Sequence, residues 1–239
     1  LLRLFQILRQ VRVYRVLQQV YTYTGKHMKT LRLVYVFTCL RVYLYTTMKI
    51  GVLALQGDFS EHIVMLKKLN VETSEVRLPE HLKGLDGLII PGGESTTIGK
   101  MAVAYNLMDS LKIFGQRRAI WGTCAGAIFL SKDVSRDQPL LGLMDIKVQR
   151  NAFGRQIDSF ETDLDIPELK QATGTQEDYH AVFIRAPIIE SVSGDAKILA
   201  SLADGRIVAA QQGHLLATSF HPELTNDTRF HKYFLTLVD

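Results

Sequence analysis

Gly122-Thr123-Cys124-Ala125-Gly126 constrains this chain more than any other stretch. It joins a short apolar run, Ala119 to Gly122, to a second run, Ala125 to Leu130, that starts like a helix. In that setting G-x-C-x-G is the sulfur counterpart of the strand–turn–helix elbow G-x-S-x-G. The strand must reverse sharply, and a side chain at either glycine would crowd the reversal. The cysteine is left exposed at the strand's end, above a helix N-terminus that favours thiolate over thiol. A buried structural cysteine in a tight turn is the competing reading.

The rest of residues 48–239 repeats the strand–helix theme. Ile50 to Leu55 predicts a buried strand ending at Gln56-Gly57-Asp58. Ser60 is placed to cap a helix with Ile63, Leu66 and Leu69 on one face. Strands are expected over Val71–Leu78 and Leu85–Ile90, and a helix over Ser95–Leu111. This rhythm is that of a parallel sheet covered on both faces. From Leu140 to Phe160 the residues alternate as in a strand. Short strands follow at Phe183-Ile184, Lys197–Ala200, Arg206–Gln211 and Leu215–Phe220, and Asn226–Val238 predicts a closing helix.

Charge divides the chain. Residues 1–47 carry eight Lys/Arg, no acidic residue and six of the nine tyrosines, so the net +4 belongs to them. The remainder holds 20 basic and 24 acidic residues, which argues against nucleic acid as a partner. Polar positions Arg3, Gln6, Arg9, Arg12, Arg15 and Gln18 recur every three residues and make no amphipathic face. We therefore expect 1–47 to be an anomalous basic extension, disordered or non-native, and 48–239 to be the functional domain, starting at Met48. Two cysteines, Cys39 and Cys124, fit a reducing, cytoplasmic setting better than a disulfide framework. No spacing suggests a structural zinc site. No run reaches the roughly 18–20 apolar residues of a membrane span, so neither metal nor membrane is expected.

A thiolate nucleophile needs a base, and the base needs an orienting group. Ser219-Phe220-His221-Pro222-Glu223 offers both, because His221 and Glu223 point the same way in an extended segment and Pro222 keeps His221 out of a helix. A third stretch, Pro91-Gly92-Gly93-Glu94-Ser95, ends one strand and starts a helix. It lacks a P-loop lysine, so an oxyanion hole fits it better than a phosphate site. The backbone N–H groups of Gly93 and Ala125 are the expected donors.

Together these three motifs resemble those of the class I, triad glutamine amidotransferases. Leu53-Ala54-Leu55-Gln56-Gly57, Arg150-Asn151-Ala152-Phe153-Gly154-Arg155-Gln156 and Phe183-Ile184-Arg185-Ala186-Pro187 narrow the resemblance to the glutaminase subunits of pyridoxal 5′-phosphate synthase. It spans essentially all of 48–239 and none of 1–47. The resemblance implies an α/β, flavodoxin-like three-layer sandwich with a mixed, mostly parallel central sheet. It implies hydrolysis of L-glutamine by a Cys124-His221-Glu223 triad, with Gly93, Glu94, Ser95, Arg150, Ile184 and Arg185 around the substrate. No cofactor is implied. The ammonia would pass to a (β/α)8-barrel synthase subunit within a large hetero-oligomer. Asp58 stands where many relatives carry a small residue.

Two alternatives share parts of this pattern. A triad glutaminase of another pathway, such as imidazole glycerol phosphate synthesis, would keep Cys124, His221 and Glu223 but not the segment from Arg150 to Gln156. A flavodoxin-like cysteine hydrolase would act on peptides rather than on free glutamine. Because Gly92-Gly93 can present either an N–H or a C=O to the site, activity is further expected to depend on the synthase, with the Gln56-Gly57-Asp58 loop as relay.

Overall fold

The computed structural model describes residues 48–135, 137–150 and 159–238. The basic segment 1–47 and the Asn151–Gln156 part of the narrowing motif lie outside the described residues.

Ten strands form one sheet. Its first half is parallel and ordered β2 (Glu72–Val76), β1 (Lys49–Leu53), β3 (Gly87–Ile90), β4 (Ala119–Thr123), β12 (Leu215–Thr218). These strands are short apolar runs because both of their faces are covered. Beyond β12 the sheet turns antiparallel through β11 (Ile207–Gln212), β9 (Ile188–Val192) and β6 (Met144–Gln149). Strand β5 (Ser131–Asp133) closes that edge parallel to β6, and β10 (Lys197–Ser201) pairs with β11. A separate hairpin pairs β7 (Ser159–Leu164) with β8 (Tyr179–Ile184).

Alternation along β4 sets the two layers that flank the sheet. Ile120 faces a cluster with Leu88, Ile90, Ile98, Leu111 and Ala127, supplied by α2 (Ser95–Ala104), α3 (Met108–Gly115) and α4 (Ala125–Leu130). Trp121 faces the other way. It packs on Phe230 and Phe234 of α6 (Arg229–Thr236) and edge-on against His62 of α1 (Phe59–Lys68). Each such aromatic pair adds about 0.5–1.5 kcal/mol beyond its area burial.

Several expectations need correction. The helix read over Ser95–Leu111 is two helices, because Asn106 adopts φ 56° and breaks the run. The buried stripe of α1 is His62, Met65 and Leu66, not Ile63, Leu66 and Leu69. Ser60 lies inside α1 and bonds Glu61 rather than capping, and Asp58 occupies the N-cap. Strand β9 and the short helix α5 (Pro167–Thr173) were not anticipated. The alternating stretch from Leu140 to Phe160 resolves into β6 and the start of β7.

In an open α/β sheet, ligand sites gather where parallel strands end. The ends of β1, β3, β4 and β12 carry, in turn, Gln56-Gly57-Asp58, Pro91-Gly92-Gly93, Cys124 and Ser219-Phe220-His221. Topology thus brings all four motifs to one edge.

Candidate active site

Cys124 sits between β4 and α4 with φ 48° and ψ −105°. A non-glycine residue held there stores on the order of 1–3 kcal/mol of strain. Two features compel it. A Cβ on Gly126 would run into the Ile90 carbonyl oxygen, and one on Gly122 would meet the Gly126 backbone. Glycine at both positions lets β4, β3 and α4 approach that closely. The Cys124 N–H donates to the Thr218 carbonyl at 2.8 Å, pinning the elbow to β12. Ala125 opens α4, so its N–H has no partner within the helix.

His221 lies beside the cysteine, whose side chain is one of the causes that raise its imidazolium. Its Nδ1 meets Glu223 Oε1 at 2.7 Å, which leaves Nε2 for the thiol. The His221 N–H donates to the Val182 carbonyl on β8 at 2.8 Å, so the hairpin helps place the ring. The route from His221 to Glu223 differs from the extended segment that was expected. His221 is extended, but Pro222–Leu224 forms one 3-10 turn that swings Glu223 back under the ring. Burial pushes the His221 imidazolium down, yet the Cys124 and Glu223 bonds outweigh it and lift it to about 10. Burial also lifts the Glu223 carboxyl above its ordinary range, with His221 pulling it back. Both directions favour a proton retained between the two groups.

The Pro91-Gly92-Gly93 loop is held from the β1 side. The Asp58 N–H donates to the Gly92 carbonyl at 3.3 Å, and the Glu94 N–H donates to Gln56 Oε1 at 2.7 Å. Since C=O and N–H point oppositely across a trans peptide, the Gly93 N–H faces away from the 56–58 loop. Gly57 has φ 97°, and a Cβ there would strike the Gly92 oxygen. Asp58 Oδ2 also stands 3.6 Å from His221 Nδ1. Asp58, His221 and Glu223 bring three possible metal-ligand atoms within 4.8 Å of one another. His221 Nδ1 is committed to Glu223, so a metal there would break that bond.

Glu94 caps α2. Its carboxylate accepts from the Thr96 and Thr97 N–H groups and from the Thr97 hydroxyl. Arg150 Nη2 adds a 2.8 Å bond, while Nη1 donates to Thr96 Oγ1 and to Gln138 Oε1. Burial would raise the Glu94 carboxyl, but the Thr97, Thr96 and Arg150 bonds hold it down at about 2. Ser95 is buried and accepts from Gln138 Nε2 at 3.4 Å.

Of the residues expected from sequence, Cys124, His221 and Glu223 therefore form one cluster, and Glu94, Ser95 and Arg150 a second. Gly92 links them: a Cβ on it would meet the His221 ring. Ile184 and Arg185 join the site along the chain, two and three residues beyond Val182. Arg185 has φ 43°. Sequence reasoning missed Gln138, whose Asp137-Gln138-Pro139 setting reads as an ordinary loop. It also missed His62 and His231, fully buried behind Glu223. A histidine on the apolar stripe of α1 was the only available signal for either.

Comparison with known proteins identifies the family. The model of the SNO glutamine amidotransferase family matches residues 52–239. A curated relative from Herpetosiphon aurantiacus, "Pyridoxal 5'-phosphate synthase subunit PdxT", is 58% identical over 198 residues, covering 80% of this chain and 100% of the relative. The protein of the same name from Moorella thermoacetica is 53% identical over 193 residues, with the same coverage. A solved structure described as a glutamine amidotransferase superposes with a TM-score of 0.73 at 50% identity, covering 79% of this chain and 97% of the other. A putative GMP synthase subunit from Thermoplasma acidophilum, at 19% identity and a TM-score of 0.57, shares the fold.

Proposed function

Since this chain belongs to the SNO glutamine amidotransferase family, we propose that it hydrolyses L-glutamine to L-glutamate and ammonia through Cys124, His221 and Glu223. The observation that carries the reading is the strained Cys124 elbow beside a histidine that Glu223 holds at 2.7 Å.

In this reading the Cys124 thiolate attacks the side-chain amide carbon of glutamine. The carbonyl oxygen gains charge and is met by the N–H groups of Ala125 and Gly93. His221 gives its proton to the departing nitrogen, and ammonia leaves a glutamyl thioester. His221 then takes a proton from water, which attacks the thioester and releases glutamate. Glu223 keeps the ring oriented and supports its charge throughout. Glu94 stays anionic at the α2 N-terminus, which suits it to the α-ammonium group of glutamine. Gly93, Ser95, Arg150, Ile184 and Arg185 complete the proposed substrate pocket, with Arg150 acting by fixing Glu94.

The relatives' name supports the further reading that the ammonia serves pyridoxal 5′-phosphate synthesis in a partner synthase subunit, a (β/α)8 barrel assembled with this chain in a hetero-oligomer. The bonds from Gln56 and Asp58 to the Gly92–Glu94 segment give such a partner a lever. A subunit docking over the 56–58 loop would set the Gly92–Gly93 peptide and with it the oxyanion hole. The test is ammonia release from glutamine by the full chain, alone and with saturating synthase, for the natural sequence and for Cys124→Ala. Release that rises with synthase and disappears in Cys124→Ala is expected. Residual turnover in Cys124→Ala would refute the nucleophile, and equal rates with and without synthase would refute the gating.

A further inference from the structure

Two buried histidines lie behind the triad, and the mechanism above does not use them. His62, on α1, and His231, on α6, are both 0% exposed. His62 Nδ1 lies 3.0 Å from His231 Nε2. On the other side of the ring, His62 Nε2 lies 3.2 Å from Thr123 Oγ1 and 3.3 Å from Glu223 Oε2. Thr123 immediately precedes the nucleophile, and Oε2 is the glutamate oxygen that His221 leaves unused.

The buried acceptors favour one direction for this chain. Glu223 Oε2 is buried and takes no well-formed hydrogen bond among the described residues. His62 Nε2 comes within 3.3 Å of it while bonded to Thr123 Oγ1. A lone pair at that nitrogen would set two buried acceptors against each other. A proton at Nε2 removes the conflict and gives the carboxylate a donor. Nδ1 is then the acceptor, so His231 must donate from its own Nε2. That leaves His231 Nδ1 as the bare nitrogen, and it is the atom that has no partner among the described residues. Burial holds both rings below the ordinary imidazole range, so each is neutral and carries one proton.

Resting on the triad reading above, we propose that His62 is a positioning residue: its Nε2, bonded to Thr123 Oγ1 and 3.3 Å from the free oxygen of Glu223, favours the carboxylate orientation that keeps the other oxygen on His221. A carboxylate bound through one oxygen alone can swing about its side-chain torsions. Asp58, 3.6 Å from His221 Nδ1, is a second carboxylate to which the ring can turn. Anchoring Glu223 from behind keeps His221 directed at Cys124. Trp121 packs edge-on against both histidines, with ring centroids 5.6 Å from His62 and 5.0 Å from His231. Its own Nε1 donates to Thr218 Oγ1 at 3.1 Å, so the relay is clamped between the sheet and two helices.

The test uses the full chain, and its first readout needs no partner. Iodoacetamide alkylation of Cys124 is followed on its own peptide by mass spectrometry at pH 7 and pH 9.5, for the natural sequence, His62→Leu and His62→Gln. The glutamine amide can place a donor near the old Nε2, whereas the leucine side chain offers none. We expect His62→Leu to slow alkylation at pH 7 about tenfold, as loss of a polar contact to a buried carboxylate does, and to leave the rate at pH 9.5 within twofold. His62→Gln should recover most of the pH 7 rate. In synthase-stimulated turnover, His62→Leu should lower kcat with KM kept within about twofold. Equal slowing of both variants, or slowing at both pH values, means that His62 is only packing and overturns the proposal. Unchanged alkylation in His62→Leu overturns it as well. Because alkylation does not require glutamine to be the substrate, failure of the glutaminase reading would appear separately, as a natural sequence that alkylates normally but releases no ammonia.

Discussion

At the scale of single residues, the site is demanding in ways that differ from one position to the next. Gly126→Ala adds one methyl group against the Ile90 carbonyl, where backbone cannot yield cheaply. We expect about 1–3 kcal/mol of destabilisation, as for other overpacked interiors, read as a lower thermal midpoint together with loss of Cys124 alkylation at neutral pH. His221→Asn should lower glutaminase turnover by about 10²–10⁴ or more. Glu223→Gln should retain part of it, since an amide still hydrogen-bonds Nδ1. Steady-state assay with synthase checks both, and full activity in either would refute the assignment. Legibility in the sequence follows from distance along the chain. Cys124 was readable because its two glycines flank it, and His221 and Glu223 because they are two residues apart. His62 and His231 touch across 169 residues, and nothing local announces either. The turn joining His221 to Glu223 was misread as strand because Pro222 fits an extended segment and the first residue of a 3-10 turn equally well.

At the scale of elements, α1 and α6 each bury a neutral histidine, and that makes their packing sensitive to acid. Burial, opposed by nearby Asp227, holds His231 at about 3, below the ~6.5 of a free imidazole. Between those values the unfolded chain takes up a proton that the fold refuses. The stability His231 permits is therefore complete above about pH 6.5 and declines as pH falls toward 3, by about 1.4 kcal/mol per unit. His62, also lowered, acts in the same direction. We expect His231→Phe to flatten the loss of stability between pH 6.5 and pH 5 by about 2 kcal/mol, measured by urea unfolding at each pH. A variant with the same pH slope as the natural sequence would contradict this. Element boundaries were legible where a strand was a pure apolar run, as at β3 and β4. They were not legible where one residue decides, as at Asn106, whose left-handed backbone divides α2 from α3 without breaking the apolar pattern.

At the scale of the whole molecule, the parallel half of the sheet was readable from the strand–helix rhythm. The antiparallel half was less so, because short strands joined by tight turns carry no periodic helix between them. The family model begins at residue 52. We propose that 48–239 is the complete glutaminase domain. A chain starting at Met48 is then expected to show the same melting temperature and the same synthase-stimulated activity as the full sequence. A marked drop in either, by calorimetry or ammonia release, would show that residues 1–47 contribute to the fold.

Strand β12 completes the site only by inserting beside β4, and the Trp121–Thr218 bond that marks their union spans 97 residues. Refolding must therefore close this long loop before the elbow can form, and non-local strand pairing of this kind is slow. The nucleophile is made last. Helical signal should recover ahead of Cys124 alkylation at neutral pH, and the interval between them times the moment when β12 arrives. Chemical competence thereby becomes the chain's own report that assembly has finished.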